Sequence, residues 1–410
     1  MSMRCWKHIP GLVVACLVIG GAPQALGETG PKIRPPTMPE INAARSMFDR
    51  GLAVLIESNP HGALVQANIY GRIDAPQATV FDVVSDPDAL PGILPCVSKE
   101  SVQVRERTGS AITYRWEYNA ALLDFEGVTS QASAPPAAVQ WLLQKGFGPG
   151  QMLWRLYPDG DRTIVALSLN VEVAKSPHSI LRWLSRANPS QPQAFNIGHG
   201  VVSFRGVQHV ATKRAGRKAL PPPTGKAGAG PLRTLSAGEI KTLAPLLQRG
   251  IAGVIEQDAQ GRVQQAALAH RIAAPAQKMI DLMHRPGAWG SPVQGVEMQV
   301  PEGDTSGERF VLSLSFPVLT ISTDMHLTNR ADGMDIESPS GQLKGTVAAW
   351  RVIPDGQGAI ISGASRFNVR DSHRLVRTMV DEDPYFGHAL NASCLAIWAR
   401  FFQLAIEGAR

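Results

Sequence analysis

The sequence predicts an α+β fold present twice, each copy an antiparallel sheet closed by a long C-terminal helix. Three observations predict it. The first is self-similarity: Arg50-Gly51-Leu52-Ala53 recurs as Arg249-Gly250-Ile251-Ala252, displaced by 199 positions. The same displacement pairs Ile56-Glu57 with Ile255-Glu256, Gln66-Ala67 with Gln265-Ala266, Arg72-Ile73 with Arg271-Ile272, and Ala75-Pro76 with Ala274-Pro275. Further on, the run from Trp154 to Gly160 matches the run from Trp350 to Gly356, displaced by 196. The second observation is alternation. Tyr114, Trp116 and Tyr118 are interleaved with Arg115 and Glu117, and Phe310, Leu312, Leu314 and Phe316 repeat the pattern, as in a sheet with one face on a core. The third is that a helical stretch ends each copy, over 192–210 and 384–406.

Taken in order, residues 1–27 read as an export signal. Arg4 and Lys7 precede an apolar stretch over 9–22, and Ala25-Leu26-Gly27 supplies small residues for cleavage before Glu28. The apolar run falls short of the roughly 20 residues that span a bilayer. Val13-Val14-Ala15-Cys16 resembles a lipobox, so lipid anchoring through Cys16 is the alternative to a periplasmic or secreted protein. No later stretch is expected to span.

The first domain is placed at 38–210. It opens with a helix over 39–49 and a hairpin over 52–57 and 64–73, turning at Asn59-Pro60-His61-Gly62. Ala75-Pro76 begins a helix, proline being tolerated where its missing N–H has no partner to lose. Strands follow over 97–107, 111–119, 124–134, 139–145, 152–157 and 163–173. The second, divergent domain at 235–410 repeats this order, with a helix over 237–248 and turns at Asp258-Ala259-Gln260-Gly261 and 329–333. Successive hairpins imply an antiparallel sheet with the helices gathered on one side.

Residues 211–234 read as a basic Pro/Gly-rich linker, with Pro221-Pro222-Pro223 and then Gly225 to Pro231. Lys213, Arg214, Arg217, Lys218, Lys226 and Arg233 lie in this region without an acid. The net charge is +6, and once the linker and signal are set aside the rest of the chain stands at about −2. The domains therefore lack the basic surface of a nucleic-acid binder. The linker's cations suit a weak contact with anionic lipid heads, against the plainer role of solvated spacer. Cys96 and Cys394, one per copy, are expected to remain unpaired thiols, and the sequon at Asn391 falls inside a helix.

The run Gly71-Arg72-Ile73-Asp74-Ala75-Pro76, then Val80 to Asp88 and Leu90-Pro91-Gly92-Ile93-Leu94-Pro95, resembles the opening of the polyketide-cyclase and coenzyme Q-binding branch of the START/Bet v 1-like (SRPBCC) superfamily. In the second copy Ala274-Pro275, Asp281 and Trp289 survive, while Met283-His284-Arg285-Pro286 departs. The resemblance implies two helix-grip domains, each a curved antiparallel sheet wrapped on its long helix around a cavity for a hydrophobic small molecule or lipid. Apolar lining removes ligand surface from water at about 25 cal/mol per Å². Trp116, Tyr118, Phe125, Trp141, Trp154, Phe195 and Phe204 are the candidates in the first copy. Phe316, Met325, Trp350, Phe367, Phe386, Trp398 and Phe401 are those in the second.

Catalytic signatures are poor. No HExxH, GxSxG, Walker loop, CxxC or dinucleotide fingerprint occurs, so no cofactor, metal or catalytic residue is assigned. His199, His209, His326 and His373 are scattered. Related cyclases and aromatases need positioned acid and base groups, and Arg115, Glu117, Glu126 and Arg155 are the candidates. Alternation turns several of them to solvent. The sequence thus favours an exported carrier of a lipid-like ligand. The alternatives are an exported cyclase or dehydratase-like enzyme, or a chain in which one degenerate copy serves protein contact.

Overall fold

Alternating apolar and polar residues pair in register along the chain, and the two copies share a single sheet. A computed structural model describes residues 33–408 apart from 60–62, 121–122, 180, 183–184, 186–190, 223–227, 261, 290–295, 302–307, 317–318 and 368–373. The export-signal stretch 1–27, His373 and part of the linker lie outside the described residues.

The first repeat contributes β1 (Gly51–Ser58), β2 (Leu64–Ile73), β3 (Gln103–Thr108), β4 (Ala111–Ala120), β5 (Leu123–Ala134), β6 (Ala138–Lys145), β7 (Gly150–Asp159) and β8 (Arg162–Val171). The second contributes β9 (Gly250–Gln257), β10 (Val263–Ile272), β11 (Val296–Gln299), β12 (Arg309–Phe316), β13 (Leu319–Arg330), β14 (Gly333–Gly341), β15 (Val347–Asp355) and β16 (Gly358–Arg366). Among the described residues they form a 16-stranded sheet, ordered β11-β12-β13-β14-β15-β16-β10-β9-β1-β2-β8-β7-β6-β5-β4-β3. Every pairing is antiparallel, and the two halves of the order mirror each other.

The helices are α1 (Met38–Arg45), α2 (Gln77–Ser85), α3 (Leu90–Ile93), α4 (Gln191–Arg214), α5 (Ala237–Thr242), α6 (Ala244–Leu247), α7 (Ala276–Met283), α8 (Arg374–Glu382) and α9 (Phe386–Gly408). The fold is α+β, two helix grips: α4 lies across β2 and β8, and α9 across β10 and β16. The core on this face runs from Ile69, Trp154 and Phe204 to Trp350, Ala399 and Phe402. A smaller core covers the opposite face of the central strands, where Ile41, Ala44 and Met47 meet Leu243, Leu246 and Leu247.

Three elements depart from the sequence expectation. The strand expected over 97–107 reduces to β3: Val97 makes a lone bridge to Tyr118 and a tight turn follows over Lys99–Ser101. There the Ser101 hydroxyl donates to Ser98 O and accepts the Glu117 N–H, replacing ladder bonds. The helix over 237–248 divides into α5 and α6, because Pro245 in the first turn of α6 has no N–H to continue α5. Helix α4 runs on past Val210 to Arg214. In addition, α9 is long and apolar enough by composition to cross a membrane, contrary to the expectation for the later chain. Burial accounts for that composition, since Ala389, Leu395, Ala399, Phe401 and Phe402 are all covered by sheet and neighbouring helix.

The repeats meet about a pseudo-two-fold axis. In the β1–β9 pair, Val54 faces Gly253, its own counterpart at a displacement of 199, and Leu52↔Ile255 mirrors Ile56↔Ile251. Around this axis the ion pairs are reciprocal. Arg50 binds Glu239 at 2.7 Å and Glu256 at 2.9 Å, while Arg249 binds Glu40 at 2.6 Å and also Glu57. Each acid also caps its own helix: Glu40 accepts the Thr37 N–H at 2.7 Å and Glu239 the Ser236 N–H at 2.8 Å. Burial pushes the Glu239 carboxyl up, but the Ser236 amide and hydroxyl and Arg50 outweigh it and hold the carboxyl at about 2. Behind the sheet α4 and α9 run antiparallel in contact, with the Ser393 hydroxyl donating to Ala194 O at 2.7 Å.

A buried asparagine ties each long helix to the end of its sheet. Asn196 accepts the Val171 N–H at 2.7 Å and donates to Val171 O at 3.0 Å, and Asn391 accepts the Phe367 N–H at 2.8 Å. The sequon asparagine is therefore buried.

Candidate functional site

The inward face of β4 to β7 meets α3 and α4 around one small space. Period-two alternation sends Tyr114 and Trp116 of β4, Thr129 of β5, Trp141 and Leu143 of β6 and Met152 of β7 to this side. Leu90, Leu94, Phe147 and His199 complete the wall. The cavity measures about 10 Å³, room for one water molecule and no more.

Each polar atom in the wall has a physical account. The Trp116 indole donates to the Thr129 hydroxyl at 3.0 Å, and the Trp141 indole to Val84 O at 3.1 Å. Burial raises the Tyr114 phenol well above its ordinary value, so it stays protonated. His199 stacks on Phe195 with ring centroids 5.7 Å apart, and burial lowers its pKa to about 4, which keeps the imidazole neutral. Among the described residues no carboxylate, ammonium or guanidinium lines the cavity.

Phe147 is the wall residue around which the other rings gather. Its ring lies 4.8 Å from Phe125, 4.8 Å from His199, 5.1 Å from Tyr118, 5.4 Å from Phe195 and 6.0 Å from Trp116, centroid to centroid. It stands on the loop between β6 and β7 with a glycine on either side, Gly146 at φ 108° and Gly148 at φ 149°. Both lie where L side chains rarely go, and a Cβ on Gly148 would sit 2.5 Å from Glu172 O. Trp116 owes its place to a third glycine. It faces Gly127 across the β4–β5 pair, and a Cβ there would lie 2.2 Å from the indole ring.

Of the residues singled out from sequence, Trp116 and Trp141 line the cavity. Tyr118, Phe125 and Phe195 are half-buried around Phe147. Trp154 stands behind Trp141, 5.7 Å away, and Phe204 packs beside Gly71, so neither reaches the space. Phe147, His199, Tyr114, Thr129, Leu143, Met152, Leu90 and Leu94 were not among the candidates for lining. Strand alternation places Tyr114 inward with Trp116, and that is the signal for it. Nothing local marks His199 or Phe147, whose roles depend on which helix face and which loop close the sheet.

In the corresponding region of the second repeat the described aromatic rings pack on one another. Trp289 packs edge-on against Phe310, Trp398, Phe401 and Phe402, and Trp350 against Phe402 at 5.1 Å. Met325 and Phe367 are buried in the same core. The side chains of Phe316 and Phe386 lie outside the described residues. With Asn196 matched to Asn391, Phe401 and Phe402 take the places of Gly206 and Val207, while Ala399 takes that of Phe204.

The polar candidates face elsewhere. Arg115 pairs with Glu117 at 2.5 Å and with Glu126 at 3.2 Å on the outer sheet face, and Arg155 is half-buried on the same side of β7. His326 is half-buried on the face of β13 opposite Met325 and Leu327. His209 reaches Leu220 O at 3.4 Å. Cys96 and Cys394 are free thiols, pushed up by burial to about 11 and about 12. Several linker cations are engaged: Arg214 with Asp86, Arg217 with Asp74 and Asp161, and Arg233 with Glu239.

Residues 73–193 match the model of the family described as polyketide cyclase/dehydrase and lipid transport, which bears out the resemblance over that span. No curated protein matches the chain. Among solved structures, the di-domain ARO/CYC StfQ from the steffimycin biosynthetic pathway is 10% identical, with 83% of this chain and 99% of that one covered at a TM-score of 0.28. A STAR-related lipid transfer protein fragment from Xanthomonas axonopodis is 16% identical over 44% of this chain and 97% of its own, TM-score 0.31. The Zhui aromatase/cyclase from Streptomyces sp. R1128 is 16% identical over 36% and 94%, TM-score 0.29.

Proposed function

We propose that this chain, matched over 73–193 by the polyketide cyclase/dehydrase and lipid-transport family, is an exported carrier that holds an apolar, lipid-like ligand in its first repeat. The observation that carries the reading is the chemistry of the cavity wall. Leucine, methionine and aromatic side chains enclose one neutral imidazole and two hydroxyls, which suits an apolar body with a single polar anchor. Entry requires Phe147 to leave its place among five rings, and its two flanking glycines give that loop the backbone freedom to move it. The second repeat, whose described aromatic residues pack on one another, then acts as scaffold or protein-contact surface.

Export rests on the signal-like composition of residues 1–27, with lipid anchoring at Cys16 as its variant. Of the linker cations, Lys213 and Lys218 have no ion pair among the described residues and are the ones free to meet anionic lipid heads. The alternative, an exported cyclase or dehydratase-like enzyme, needs an acid and a base at the ligand. Arg115, Glu117 and Glu126 point away from the cavity, which leaves His199 as the base such an enzyme would use.

Native mass spectrometry of protein purified from its own host, followed by organic extraction, tests the carrier reading. A stoichiometric apolar adduct is expected, increased in Phe147→Ala and lost in Leu143→Trp, which fills the space. A bare mass that persists after incubation with host lipid extract, in the wild type and in Phe147→Ala, overturns it. Phe147→Ala should also lower stability by about 3 kcal/mol, as truncation of a buried phenylalanine does.

A further inference from the structure

A second opening lies where the two repeats meet, further along α4 at its C-terminal turns. Its walls are Gly92 and Pro95 after α3, the last turns of α4 (His209, Val210, Lys213, Arg214), Pro222 of the linker, and Pro384 and Tyr385 at the start of α9. The cleft measures about 450 Å³, within the range of small-ligand sites. His209 and Tyr385 also border a throat of about 10 Å³ that leads to Arg205, Gln208 and Gln257.

Arg205 is the anomaly. It is 5% exposed, donates through Nη1 to Gln208 Oε1 at 2.8 Å, and has a buried Nε without a partner. Among the described residues no carboxylate forms an ion pair with it. Of the acids around the seam, Asp383 accepts the Tyr385 N–H at 2.9 Å and Asp86 pairs with Arg214 at 3.0 Å. His388, also buried against this seam, has neither ring nitrogen hydrogen-bonded. A guanidinium keeps its charge at any ordinary pH, and burying one without a counter-charge is strongly unfavourable. That cost is recovered when an anion arrives to share the guanidinium's free donors.

We propose that this inter-repeat cleft is a second binding site, taking a carboxylate with an apolar body whose head group supplies the missing counter-charge to Arg205. At about 10 Å³ the throat holds no more than one water as it stands, so a planar carboxylate enters only when the His209 ring at its mouth swings aside to expose the guanidinium fork. Val210, Pro95, Pro222, Pro384 and Tyr385 supply apolar surface for the body, and Lys213 at the rim favours approach of an anion. Both histidines stay neutral there: burial lowers His209, with Lys213 adding to it, and burial lowers His388, with Arg205 adding to it. The buried charge at the site is thus that of Arg205, with Lys213 exposed at the cleft. It is separate from the first-repeat cavity and stands or falls independently of it.

Calorimetric titration of the whole protein with dodecanoate, dodecanol, dodecyl phosphate and inorganic phosphate tests the proposal, on the wild type and on Arg205→Met. Dodecanoate is expected to bind the wild type roughly tenfold or more tighter than dodecanol, because a charge-assisted pair separates them. Arg205→Met is expected to lose that advantage while leaving dodecanol unchanged. The variant's melting temperature, expected to equal or exceed the wild type's once the buried charge is gone, shows that it folds. Dodecanoate binding that survives Arg205→Met belongs to the first-repeat cavity and overturns the proposal, as does the absence of dodecanoate binding. Dodecyl phosphate or inorganic phosphate binding tighter than dodecanoate, and lost in the variant, overturns the assignment of a carboxylate.

Discussion

Gly127 and Trp116 show how one backbone position decides a side chain. The indole lies against the glycine across the β4–β5 pair, so any Cβ there must displace the ring that walls the cavity. Gly127→Ala should therefore cost about 1–3 kcal/mol, the usual range for overpacking, and should quench or shift the emission of Trp116. A variant with unchanged melting temperature and spectrum would contradict this. His199 gives a pH signature. Its folded pKa of about 4 lies below the ordinary 6.5, so the unfolded chain takes up the proton first. Its contribution is intact above about pH 6.5 and falls away as pH drops toward 4. His199→Phe should remove that part of the slope, read as the wild-type-minus-variant difference in melting temperature between pH 6.5 and 4. At this scale the sequence is only half legible. Period-two alternation turns Trp116 inward and Arg115 outward without ambiguity. The rings of Phe147 and His199 meet that face through a loop and a helix that approach from far along the chain, which no local pattern records.

At the scale of elements, the informative units are the seams between them. The hairpins, the Ala-Pro helix starts and the terminal helices are read from alternation, turn residues and proline placement. The split of α5 from α6 is also written in Pro245, and its cause is local. The β1–β9 junction is different. Its strands are recognisable from sequence, but their pairing across the two copies is fixed by Arg50, Arg249 and their four acids, which are scattered over the chain. Arg249→Met should destabilise the protein by about 3 kcal/mol, since Glu40 and Glu57 would stay buried without their shared cation. The double variant with Glu57→Gln should regain part of that loss. Additive effects in thermal melts would show that the pair is not coupled.

For the whole molecule, the mirrored strand order makes a prediction about halves. The first repeat carries Arg50, Glu40 and Glu57 together, so a second copy of itself supplies the same reciprocal partners that the second repeat now does. Val54 at the axis can face another Val54, and the unpaired edge of β1 favours such pairing. The isolated first repeat should sediment as a dimer in analytical ultracentrifugation, and a stable monomer would sink the idea. The internal repeat is legible from sequence because both anchors survive. The continuous sheet is not, because a repeat records similarity of parts and says nothing of their contact.

The axis at Val54 and Gly253 carries one more implication. Two halves that associate freely must each remain able to do everything the pair needs. Tethering raises the effective concentration of one half around the other to roughly the millimolar range, so association no longer depends on either half's affinity alone. Under that condition the halves can specialise. One can surrender its interior to bulky rings, as Phe401 and Phe402 do, and survive as a permanent partner whose task is to hold the other half's edge, and the cleft beside it, in place.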